Sequence, residues 1–108
     1  MKKIIEYHGL DNQRRKFAEE NLELQEAMIT YVTASRNMEG APAEYVEKEL
    51  LPLRQNLICE IADNFVLLGQ FMEWFGIKSY EVEGAAKYKI GRTHAEIEKD
   101  KKKNELYR

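Results

Sequence analysis

Phe17, Leu24, Met28 and Tyr31 recur at steps of seven, four and three, the spacing of one apolar stripe on an amphipathic helix. From Asn12 to about Arg36 the chain carries neither glycine nor proline, so the pattern predicts a single long helix, N-capped by Asp11 and ended by NMEGAP. A short helix over 2–8, closed by Gly9, is predicted ahead of it. Pro42 opens a further segment, AEYVEKELL, and Pro52 either kinks it or starts a new helix. From Leu53 to Phe75 the pattern is helical again, with Leu57, Ile58, Ile61, Phe65, Leu68, Met72 and Phe75 at three- and four-residue steps and Leu67, Phe71 and Trp74 widening the face. That breadth predicts a central helix, stopped by Gly76. A last helix is predicted from about Tyr80 to Lys99 or beyond, with Val82, Ala85, Ala86, Ile90 and Ile97 as a weaker apolar side.

No stretch sustains the alternation of a half-buried strand, and no Asn-Gly or Asp-Gly turn joins two β-rich runs. The expected fold class is therefore all-α, an antiparallel helical bundle whose ligand sites would be built from side chains of facing helices. The weak apolar side of the last helix and the aromatic surplus of the central one predict a core completed by oligomerisation. Residues 1–98 are expected to form a single domain, and 99–108 a charged C-terminal tail or helix end.

Two acids break the apolar stripes. Glu20 falls three residues after Phe17 and four before Leu24, so it projects from the same face as both. Glu60, three after Leu57 and seven before Leu67, repeats the device on the central helix. Each has a companion one turn on, Glu23 for Glu20 and Asp63 for Glu60. One acid pair on one helix is an ordinary solvated face. Two pairs on two long helices, if those helices are neighbours, bring four carboxylates together inside the bundle, where repulsion and desolvation demand a counter-charge. A hard divalent cation that takes oxygen ligands, Mg²⁺ or Mn²⁺, answers that demand.

The rest of the composition narrows the choice. A di-iron bundle needs Glu-x-x-His motifs, and neither His8 nor His94 stands three residues after a glutamate. One cysteine and two distant histidines cannot make a structural zinc site; His8 is expected at a helix end and His94 on an exposed side. Cys59, in the apolar run LICEIA, is expected to be a buried, reduced thiol. A formal charge of −2 supplies no basic field for gripping nucleic acid, and acids interrupt the lysines of IEKDKKKNELYR. With no apolar run near the roughly 20 residues of a membrane span and no signal-peptide segment, a cytoplasmic protein without a membrane partner is expected.

The acids also sit in a familiar order. EENLE at 19–23 resembles the EExxE motif of the MazG-type all-α nucleoside triphosphate pyrophosphohydrolases, a family related to the dimeric dUTPases, and EIAD at 60–63 resembles its partner motif ExxD. The lead-in YHGLDNQRRKFAEE is similar to the approach to the first motif in short phage or Gram-positive members, and KIGR at 89–92 to the K-x-x-R of the family's last helix. Together these motifs cover roughly residues 5–95. The resemblance implies a homodimeric or homotetrameric bundle that hydrolyses an NTP or dNTP to the monophosphate and pyrophosphate with Mg²⁺, Mn²⁺ being the substitute. By position it implies Glu20, Glu23, Glu60 and Asp63 as metal ligands, and Glu19 beside Glu20 as a catalytic group, either supporting the ligands or activating the water. Lys89 and Arg92 would meet phosphate oxygens, with Lys87 a weaker candidate. Residues 24–59, between the two acidic motifs, are longer than in compact members, which leaves the base and the sugar open.

Asn21, Asn64, Trp74 and Tyr88 are conceivable base contacts; the competing reading has the asparagines facing solvent and Trp74 packed in the core. The rival to the enzyme is a non-catalytic helical oligomer binding a nucleotide or a protein partner on the same scaffold. The intact set of four acids favours catalysis, since a binding module is free to replace costly buried charges.

Overall fold

A computed structural model describes residues 2–106 and places them in four helices, α1 (Lys2–His8), α2 (Leu10–Asn37), α3 (Ala43–Phe75) and α4 (Ser79–Leu106), with no strand among the described residues. The all-α class is thus observed. Tyr107 and Arg108, the end of the expected tail, lie outside the described residues; 99–106 continue α4. The chain divides into two units, the described residues up to Trp74 and those from Phe75 on.

In the first unit, α1 runs into α2 through Gly9, whose φ of 88° is a conformation that a Cβ disfavours. The Gly9 N–H donates to the Ile5 carbonyl at 2.7 Å, and the Asn12 side chain covers the His8 carbonyl at 2.8 Å. Because the glycine turns the corner in one residue, α2 begins at Leu10, and Gly9 rather than Asp11 holds the N-cap position. Asp11 falls in the first turn instead, where its charge suits the helix dipole. Pro42 stands just before α3, and its carbonyl accepts from the Val46 N–H at 3.1 Å. Pro52 neither ends α3 nor begins a new helix. It removes one N–H from the ladder, and the carbonyl it deprives, that of Lys48, belongs to an exposed turn where water can replace the donor.

Helices α2 and α3 meet along a seam whose pairs run in opposite sequence order, so the two are antiparallel. Gln13 donates through Nε2 to Oε1 of Gln70 at 2.8 Å, both side chains buried. Phe17 and Phe71 pack edge to face with centroids 5.7 Å apart. Asn64 reaches across to Glu20. Among the described residues, Ile5, Ala27 and Leu67 are the buried apolar ones.

The face that α3 turns inward differs from the expected one. Half-buried or buried positions run Leu57, Glu60, Asn64, Leu67, Phe71 and Trp74. Of the stripe expected in the core, Ile58, Ile61, Phe65, Leu68 and Phe75 are exposed, Phe65 by 75%, while Leu57 and Met72 are half-buried. Both stripes are apolar at most levels, so periodicity alone does not choose between them. Cys59 is likewise exposed rather than buried.

In the second unit, Gly76 ends α3 with φ 68°. The α4 start is capped reciprocally, with the Lys78 N–H donating to Oε2 of Glu81 at 2.7 Å and the Lys78 carbonyl accepting from the Glu81 N–H at 3.0 Å. Every described residue of α4 is exposed. No helix among the described residues is long and apolar enough to cross a membrane.

Candidate metal centre

Two helical turns supply the centre. On α2, Glu20 follows Phe17 by one turn and shares its inward face; on α3, Glu60 precedes Asn64 by one turn on the face that meets α2. Antiparallel packing sets these turns opposite each other, and one carboxylate oxygen from each of Glu20, Glu23 and Glu60 lies within 4.8 Å of the other two. Glu20 and Glu60 are half-buried and Glu23 is exposed, so the cluster opens to solvent on one side. Asp63 is exposed and outside this set of three, yet its charge acts on both Glu20 and Glu60.

Asn64 ties the two turns together. It is 6% exposed, and its Nδ2 donates to the Glu20 carbonyl at 3.0 Å across the seam and to the Glu60 carbonyl at 2.8 Å on its own helix. Its Oδ1 is buried without a hydrogen-bond partner, as are Oε2 of Glu20 and Oε2 of Glu60. All three atoms are acceptors. Buried acceptors without a donor are unfavourable, and a cation or a proton donor beside them would relieve that.

Electrostatics agree with geometry. Loss of solvent around the Glu20 carboxyl raises its pKa above the ordinary 4.5. Glu23 raises it further, through its charge and through a hydrogen bond that protonation permits, followed by the charges of Asp63 and Glu60. Glu60 is raised too, first by loss of solvent and then by Glu23 and Asp63. Glu20 and Glu60 therefore bind protons more tightly than isolated carboxyls do.

The donor set is made of oxygens alone. Only carboxylate oxygens converge, with no histidine or cysteine in the group, a donor set for a hard cation such as Mg²⁺, Mn²⁺ or Ca²⁺. Comparison with protein families, with curated proteins and with solved structures finds no match for this chain. The reading of the site therefore rests on its own residues.

The other candidates stand as follows. Glu19 is exposed on α2, next in sequence to Glu20. Lys89, Arg92 and Lys87 are exposed on α4, where Arg92 pairs with Glu96 at 3.8 Å and the Lys89 carbonyl accepts from the Thr93 hydroxyl at 3.0 Å. Asn21 is half-buried and donates to the Phe17 carbonyl of its own helix at 3.2 Å, Trp74 is half-buried, and Tyr88 is exposed. His8 closes α1, and His94 is exposed. The residue whose part the sequence did not reveal is Asn64. Its spacing of four from Glu60 and three from Leu67, inside the inward stripe, was the available signal.

Proposed function

We propose that this chain is a MazG-like pyrophosphohydrolase, converting an NTP or dNTP to the nucleoside monophosphate and pyrophosphate with Mg²⁺. The observation that carries the reading is the convergence of three carboxylates, two of which bury an oxygen that has no donor. The order of the acidic motifs along the chain supports it.

Glu20, Glu23 and Glu60 would hold the cation, with Asp63 adding charge at its edge. Bound there, Mg²⁺ supplies neutralisation of phosphate oxygens and a water of lowered pKa. The chain's own work is positioning. Lys89 and Arg92 meet phosphate oxygens of the substrate, and Glu19 is the group assigned to receive the proton of the attacking water as its oxygen bonds to phosphorus and pyrophosphate leaves.

A second copy completes the protein in this reading. Ile58, Ile61, Phe65 and Leu68 form the apolar stripe that a second copy would cover.

The test is pyrophosphate release from a panel of NTPs and dNTPs in Mg²⁺ and in EDTA. Metal-dependent release with at least one nucleotide is expected. A panel that yields none would leave the non-catalytic oligomer as the better description.

A further inference from the structure

We propose that Asn64 is a positioning residue of the metal centre, with its NH₂ group fixing the spacing of the Glu20 and Glu60 turns and its free oxygen accepting from a water of the bound cation. This inference rests on the metal-binding reading of the site and adds to it a residue outside the acidic motifs.

The carbonyls of Glu20 and Glu60 both lie within helices, where the N–H groups of Leu24 and Asn64 are their i+4 ladder donors. Neither carbonyl needs the Asn64 side chain to be satisfied. A second donor to each therefore acts on geometry. The bond to Glu60 anchors the amide to its own helix, and the bond to Glu20 fixes α2 against α3 at the level where the carboxylates converge.

The same two bonds fix the orientation of the amide. Both neighbours are carbonyl oxygens, so the NH₂ must face them and Oδ1 must point elsewhere. Oδ1 is buried and without a partner, and the side chain that carries it is more than nine-tenths buried between the turns bearing Glu20 and Glu60. The nearby acids with unpartnered buried oxygens offer no donor as carboxylates. Mg²⁺ and Mn²⁺ keep several waters when bound through carboxylates, and such a water is a strong donor. Leucine at this position would fill similar space and leave both carbonyls with their ladder bonds.

The experiment measures Mn²⁺ binding by titration calorimetry, with no nucleotide present, alongside melting in EDTA. Asn64→Leu is expected to bind Mn²⁺ at least tenfold more weakly than the parent while melting in EDTA at the parent temperature or above. Asn64→Ala, which cannot be too large for its place, should show the same loss of affinity. Gln13→Leu breaks the other buried amide bond of the same seam and should leave the Mn²⁺ affinity unchanged. A purely structural Asn64 would give lower melting in EDTA with undiminished affinity in both Asn64 variants, and that result overturns the proposal. Equal weakening by Gln13→Leu also overturns it, since the seam as a whole would then set the site. A parent that binds no Mn²⁺ removes the metal centre together with this role, whereas a parent that binds and Asn64 variants that bind equally well remove the role of Asn64 alone.

Discussion

Glu20 and Glu60, on antiparallel helices, each bury one carboxylate oxygen, Oε2, where no hydrogen-bond donor reaches it. Replacing either by glutamine removes a charge from a crowded acidic cluster and adds a donor among acceptors. Glu20→Gln and Glu60→Gln are expected to melt in EDTA at or above the parent temperature. Both should lose Mg²⁺-dependent pyrophosphate release by more than the roughly 10–100-fold cost of altering an outer-shell partner. Retained hydrolysis would remove these residues from the metal site, and a clear fall in EDTA stability would mark them as parts of a structural ion pair.

Magnesium is expected to stabilise the folded chain, because the converging carboxylates exist only when α2 and α3 are packed. At ~100 times the dissociation constant the gain is about 2.7 kcal/mol. Thermal melts in Mg²⁺ and in EDTA check this, and superimposed curves at millimolar Mg²⁺ would count against the site.

The pH dependence has a definite sign. Glu20 and Glu60 bind protons more tightly in the folded chain than at the ordinary 4.5 of the unfolded one, so the folded state holds the extra protons. Their favourable contribution is complete below about 4.5 and is lost as pH rises through the raised folded values. In EDTA, stability attributable to these two acids should fall with rising pH across that window, and Glu20→Gln should flatten the fall. Paired denaturation series for parent and variant provide the measurement. A parent whose stability relative to Glu20→Gln increases with pH there would contradict the direction.

How much of this was legible beforehand can be judged at particular positions. The helix boundaries were largely readable, because Gly9 and Gly76 adopt positive φ and end their helices at the residues before them. The inward lie of Glu20 was readable as well, since Phe17 and Leu24 define one clear stripe on α2. The phase of α3 was not. Leu57 and Ile58, Leu67 and Leu68, Phe71 and Met72, Trp74 and Phe75 are adjacent apolar pairs, so either edge of the helix could have faced inward. Only the partner helix decides, and it selects the edge bearing Glu60 and Asn64. The task of Asn64 was hidden for the same reason, as one of its two acceptors lies 44 residues away in sequence.

Self-association should be visible and separable from folding. The parent is expected to sediment as at least a dimer of the 12.7 kDa chain at micromolar concentration. Phe65→Asp, at a position exposed in the single chain, should shift the species toward monomer without removing helix content. A parent that sediments as a monomer would leave the apolar stripe without its proposed cover.

Lys89→Ala and Arg92→Ala test the basic pair of α4. Both are expected to weaken substrate use, seen as a lower kcat/KM, while leaving Mg²⁺-dependent stabilisation intact, because phosphate contacts require the substrate. Parental hydrolysis in both variants would detach KIGR from the reaction.

The buried amides of the α2–α3 seam also limit how the helices can pair. Sliding α2 along α3 by one turn, about 5.4 Å, would part Gln13 from Gln70 and carry the Glu20 carbonyl away from Asn64, stranding polar groups that the present alignment satisfies. An apolar seam tolerates such slippage, whereas a polar layer penalises every register but one. A slipped register is thus penalised at two levels of the seam, and loss of the Gln13–Gln70 bond alone leaves Asn64 to hold AEENLELQEA opposite Glu60.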